Sequence, residues 1–476
     1  MSMSISDEEL TQLSATEIGI GLRAQTWSAR DIVEAHLERI EKVNPLINAI
    51  VTLTPELALE QAATVDQLVK TGKPIGLLAG VPIAYKDTHD VAGVRTTYGS
   101  PIFADHVPAT SELQVQRIAD AGAICLGKTN VPEFAAGANT FNSVFGETRN
   151  PYDTSLSAGG STGGGAAAVA ARLMPISDGS DMAGSIRIPS AFNNIIGLRP
   201  TPGCVPTFPN DAPWSPLAVQ GPLARTVDDI ALMMKVMSGQ DLRAPLSYSL
   251  PNDYWNFQRR KNLKGMRIAY STDFGGLCEV DAEITKAVLD TVEVMRNLGA
   301  DVVEALPDFS GAEKVFKYWR AWEFVQAFGD FYRERRSDLK SAIVHNIEFG
   351  FGLTIEDLGE ASKLHSQLHH NTFGFFTEFD ALIVPATPVL PFDVTLEYPH
   401  TPRDGDYPSY LEWMSTCYLV TAAGNPSLAM PASLSSTGLP RGIQIVGQHK
   451  NDAHVLSIGY ALEQATHFVS KNAPHI

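Results

Sequence analysis

Two short stretches of small residues each hold a serine in a setting suited to attack on a carbonyl. Ser161 lies in Gly159-Gly160-Ser161-Thr162-Gly163 and Ser185 in Gly184-Ser185-Ile186-Arg187. Glycines beside a hydroxyl let the backbone approach a substrate closely and aim several N–H groups at one oxygen. A serine hydroxyl also needs a base to take its proton. None of the 12 histidines sits in a catalytic motif, which turns attention to lysine. An ammonium has no lone pair, so a lysine can act as base only if its pKa of about 10.4 falls by a few units. Lys86 follows the apolar run VPIAY, and burial there would supply such a fall. The neighbouring Asp87 would oppose it only if both side chains faced the same way, and neighbours on a strand point apart.

The elements that must hold these groups are legible from periodicity. Segments 80–87 and 123–130 read as buried strands, with helical spacing over 111–122 between them. An amphipathic helix over 28–43 opens on Ser28 with Asp31 three residues on, and is expected to end before Asn44-Pro45. A second helix is expected over 55–70. An Ala-rich helix separates Ser161 from a second small-residue turn at 179–185. Residues 264–306 read as a βαβ unit, 313–376 as mostly helical and aromatic-rich, and 381–388 and 442–448 as strands. This alternation predicts an α/β architecture with a mainly parallel sheet. Without a linker or internal repeat, one domain over 1–476 is expected: N-terminal helices to about 75, a core over about 76–230, and a βαβ and helical pocket region over about 260–380.

Composition narrows the function classes. With 36 Lys and Arg against 53 Asp and Glu, a net charge of -17 offers no basic field, so nucleic acid is not an expected partner. Cys125, Cys204, Cys278 and Cys417 are far apart and read as buried thiols. The N-terminus lacks an apolar signal-peptide core and no run is long enough to span a membrane, so a cytoplasmic location is expected.

Ser161 formally fits the GxSxG elbow of α/β-hydrolases, which would need a downstream acid and a histidine such as His449 or His454. A non-enzymatic, phosphate-cradling loop would end in GK[ST], and this one does not. His365 and His369 are one turn apart but lack an HExxH context, so neither metal nor cofactor is expected.

Taken together, GGSTGG, the Ala-rich helix, GSDMAGSIRIPSAF and GLRPT resemble the amidase-signature family in order and spacing. VPIAYKD, GKTNVPEF, QGPLARTVDD and GNPSLAMP extend the resemblance over nearly the whole chain. It implies a single-domain fold with a central mixed, mostly parallel sheet covered by helices on both faces. It implies hydrolysis of a carboxylic amide, with anilides, carbamates and esters as further substrates. The roles it implies are Ser185 as nucleophile forming an acyl-enzyme, Ser161 as bridging hydroxyl after a cis peptide bond, and Lys86 as base. The backbone N–H groups of Met182, Ala183, Gly184 and Ser185 would form the oxyanion hole, with Asp181 and Arg187 in support. Ala135, Ala136, Gly137 and Thr162 would contact substrate, with 206–214 and the aromatic helix at 316–331 shaping the mouth for an aryl or apolar small-molecule amide. Family members are often homodimers. Ala183 stands where glycine is usual, Met182 where threonine is frequent, and Thr162 where a second serine is common. The resemblance also extends to the glutamine-hydrolysing subunit of tRNA-dependent amidotransferases, against which the apolar Ile188 is weighed.

Overall fold

The computed structural model describes residues 6–403 and 405–476, so the first residues of the N-terminal segment read for a signal peptide lie outside it. Ser28 caps the helix Ala29–Ile47 in a full capping box with Asp31, and Ile32, Val33, Ile40 and Val43 are buried. The helix does not stop before Pro45 as expected. Proline removes one N–H and is tolerated in this last turn, and the true stop is Asn48 in the left-handed conformation, its N–H donating to Asn44 O at 2.7 Å. The Asn44 side chain accepts from the N–H of Ala49 and of Ile50, which launches the next strand.

That strand, Ile50–Leu53, edges a three-stranded sheet whose middle member is Ile124–Thr129 and whose far member is Pro82–Lys86. The last two pair in parallel across the intervening helix Leu113–Asp120, the expected strand, helix, strand unit. Five consecutive buried residues, from Pro82 to Lys86, bring the lysine side chain wholly inside.

The larger sheet runs in the order Asp301–Glu304, Arg267–Tyr270, Ala381–Pro385, Pro440–Val446, Ser427–Leu434, Ile196–Arg199, Val219–Ala224, Ile176–Asp181. It is a mixed sheet with flanking helices, but it is not mostly parallel. Only the pairings of Arg267–Tyr270 with its two neighbours are parallel, and the other five are antiparallel. Parallel neighbours need long crossovers, which helix Ala282–Asn297 and the helices Ala312–Arg335, Ser341–Phe351 and Ile355–Phe375 provide. A tight turn joins Ser427–Leu434 to Pro440–Val446 and makes them a hairpin. The stretch 179–185, read as a turn, begins as the end of strand Ile176–Asp181, and the loop starts only at Met182.

All four cysteines are free and buried. Among the described residues, no helix is long and apolar enough to cross a membrane.

Candidate active site

Lys86 closes its strand with Nζ inside a cage of hydroxyls. Nζ lies 2.8 Å from Ser161 Oγ, 3.0 Å from Thr162 Oγ1 and 2.8 Å from Ser180 Oγ. Burial disfavours the ammonium and pulls the lysine down to about 7, against the opposing pull of the Asp178 and Asp181 carboxylates. Asp87 is not among those opponents. It faces away, accepting from the hydroxyl of Thr97 at 2.5 Å and feeling the charge of Lys128. The peptide bond Gly160–Ser161 is cis. Gly164, one turn on, packs so tightly that a Cβ would come within 2.4 Å of Asn130 N.

The loop carrying Ser185 is organised by Asp181. Its carboxylate accepts from Arg187 Nε at 3.0 Å and Nη2 at 2.9 Å, and from the N–H groups of Gly184 at 2.9 Å and Ile186 at 3.1 Å. Arg199 adds a contact at 3.5 Å. These partners outweigh complete burial and hold Asp181 well below the usual carboxylate range. Arg187 also donates to Cys417 O, Gln444 Oε1 and Thr421 Oγ1, tying the loop to the helix Ser415–Ala423. Gly184 has φ +111°, and a Cβ there would meet Cys417 at 2.6 Å, so this is the position in the loop that needs glycine. Ala183 does not take a positive φ, so it carries no such demand.

One expected donor is spent. The N–H of Gly184 is committed to Asp181, so it is not free for an oxyanion, whereas the N–H groups of Met182, Ala183 and Ser185 meet no acceptor among the described residues. Ser161 and Ser185 are tied through backbone, the N–H of Thr162 donating to Ser185 O at 3.1 Å. No hydrogen bond joins the two serine hydroxyls among the described residues.

Ser161 and Ser185 both line a cavity of about 230 Å³. Its apolar wall is Phe134, Ala135, Met182, Phe324, Phe328 and Met414, and its mouth includes Asn210, Asp211 and Ala212, within the 206–214 segment expected there. Ala135 and Gly137 line it as expected, but Ala136 and Thr162 do not. Phe134 and Ala135 both take positive φ, 47° and 57°, which turns Ala136 into a cluster with Phe324, Leu339, Ile343 and Ile347. Thr162 lies behind the wall, its hydroxyl on Lys86. Ile188 is fully buried in the core and is not among the residues that line this cavity.

Sequence reasoning missed several residues near this site, among them Ser180 on Lys86 and Met414 in the cavity wall. Asp178 accepts from the backbone N–H of Lys86 at 2.9 Å and pairs with His89 at 2.6 Å. Arg320 and Glu323 enter the cavity wall from the helix Ala312–Arg335. A charged pair three residues apart inside an aromatic helical stripe was the available signal.

The chain matches the Amidase family over residues 31–456. An acylamidase of Rhodococcus erythropolis is 33% identical, with 95% of each chain covered. One of the subunits of the glutamyl-tRNA(Gln) amidotransferase of Carboxydothermus hydrogenoformans is 34% identical, with 97% of this chain and 98% of its own covered. The solved structure of a bacterial aryl acylamidase of the amidase-signature family superposes with a TM-score of 0.89 at 28% identity, over 98% of this chain and 99% of its own. The chain therefore belongs to the amidase family, the amidase-signature enzymes. It is an amidase, acting on carboxylic amide C–N bonds.

Proposed function

We propose that Ser185 attacks the amide carbonyl, that Ser161 carries its proton inward, and that neutral Lys86 receives it. The observation that carries this reading is a fully buried Lys86 Nζ 2.8 Å from Ser161 Oγ, with its pKa near neutrality. A neutral amine has two N–H donors and one lone pair, so of its three hydroxyl neighbours one can donate to it. Ser161 in that role passes a proton from Ser185 to Lys86 while the Ser185 Oγ–carbonyl carbon bond forms. The same path returns the proton to the leaving nitrogen as the C–N bond breaks, and water then repeats the sequence on the acyl-enzyme. The free N–H groups of Met182, Ala183 and Ser185 face the developing oxyanion, a contribution of several kcal/mol in such sites. Asp181 and Arg187 hold that loop. Phe134, Phe324, Phe328 and Met414 support an aryl or apolar body on the substrate.

The test is to trap the intermediate with a slowly deacylating activated ester and map the mass increase by peptide analysis. It is expected on the peptide holding Ser185 and absent in Ser185→Ala. An adduct on Ser161 would transfer the role of nucleophile there.

A second reading, the glutamine-hydrolysing component of an amidotransferase, is favoured by the 34% identity to the Carboxydothermus protein. Ammonia release from free glutamine at rates above those for anilides would establish it.

A further inference from the structure

Arg320 is an unusual wall for an apolar cavity. It is 4% exposed and lines the same space as Ser185. Three of its N–H groups meet acceptors: Asn346 Oδ1 at 3.2 Å, Tyr410 OH at 2.8 Å, and the thioether of Met182 at 2.9 Å. Sulfur is a weak acceptor, and a guanidinium has five N–H groups to satisfy. Its charge rests on aromatic faces, with Phe324 at 4.3 Å and Tyr410 at 5.9 Å. No carboxylate pairs with it among the described residues, although the chain has 53 Asp and Glu. A buried, permanently charged group is costly unless an anion compensates it.

We propose that Arg320 binds a carboxylate of the substrate, so that the amides this cavity takes carry an anionic group on an otherwise apolar or aryl body. The inference rests on the amidase reading and adds the substrate's charge to it. Met182 joins the two parts of the site, since its backbone N–H is a free donor beside Ser185 while its sulfur touches Arg320. The charged groups facing the cavity are Glu323, Asp211 and Asp181. Asp181 is neutralised by Arg187, and Asp211 is exposed at the mouth, where water screens it. Glu323, one turn along from Arg320, takes the hydroxyl of Ser215 on one oxygen, and burial pushes it up to about 7 despite Arg320 and Arg199. Below that pH Glu323 is neutral and can donate to a carboxylate. Above it, Glu323 competes with the substrate for Arg320.

Two matched pairs test this: N-succinyl against N-butyryl p-nitroanilide, and 4-acetamidobenzoate against 4-methylacetanilide. Each is followed by kcat/KM and by protection of Ser185 from a fluorophosphonate. In the wild type the carboxylated member of at least one pair is expected to be preferred by about tenfold or more, as a charge-assisted bidentate contact supplies. Arg320→Met is expected to abolish that ratio and Arg320→Lys to recover part of it. In the wild type itself the ratio is expected to fall several-fold between about pH 6 and about pH 8, as Glu323 ionises, a measurement that needs no variant to fold. No preference in either pair, a preference unchanged in Arg320→Met, or a ratio flat across that pH range overturns the proposal. Failure of Ser185 to react with the fluorophosphonate in wild type overturns the underlying catalytic reading instead, and the inference with it.

Discussion

His89 Nδ1 and Asp178 Oδ2 lie 2.6 Å apart in the interior, and the other oxygen of Asp178 accepts the backbone N–H of Lys86 at 2.9 Å. The carboxylate that most strongly opposes neutralisation of Lys86 is thereby fixed in place beside it. Asp178→Asn keeps an acceptor for the N–H and removes the charge. The acid limb of the kcat/KM profile is then expected to move down by about 1 pH unit, the lower end of what a single nearby opposite charge does. A pH–rate series on both proteins measures it, and an upward or absent shift would contradict this role for Asp178.

Lys86 titrates near 7 when folded and near 10.5 when unfolded, so between those values the unfolded chain binds more protons. Stability from this residue therefore rises with pH across that window. Lys86→Met removes the dependence. The stability of wild type relative to the variant is expected to increase by about 2 kcal/mol between about pH 7 and about pH 9. Denaturant titrations at the two values read it, and a constant difference would mean that Lys86 is not depressed. Activity should likewise rise through about pH 7 in the wild type.

Asp181 compensates Arg187 and touches Arg199 in a fully buried setting. Asp181→Asn leaves the guanidinium groups without their anion and is expected to cost about 3 to 5 kcal/mol. Chemical unfolding checks the magnitude. A change under about 1 kcal/mol would mean that the pair does not hold the loop.

Ala135 and Ala136 are neighbours with opposite surroundings. Ala135→Leu should narrow the cavity and raise KM for bulky anilides. Ala136→Leu should instead overfill the cluster around Ile343 and Ile347 and cost about 1 to 3 kcal/mol. Parallel kinetics and thermal melts on the two variants separate the outcomes, and a melt loss confined to Ala135→Leu would reverse the assignment.

What the sequence made legible was local. Capping at Ser28, the buried run into Lys86 and the small-residue loops around Ser161 and Ser185 all follow from neighbours a few positions apart. What it concealed depended on distant contacts or backbone reversals. Strand direction in the large sheet is not legible because a hairpin such as 427–446 has the same buried composition as parallel strands. The turning of Ala136 away from the pocket is hidden because the positive φ angles at Phe134 and Ala135 leave no trace in residue type. The loss of Gly184 as a donor follows from Asp181 folding back three residues. The charged pair Arg320 and Glu323 stands out in an aromatic helical stripe, but that it faces the cavity follows only from the seating of helix Ala312–Arg335 over the loop at Met182.

The most direct test of the central claim is fluorophosphonate labelling of wild type and Lys86→Met, with peptide mapping of the modified serine. The relay through Ser161 to Lys86 predicts an adduct on Ser185 in wild type, formed at least about a hundredfold more slowly in the variant, as expected on losing a general base. Equal labelling rates in the two proteins, or an adduct on Ser161, would contradict it.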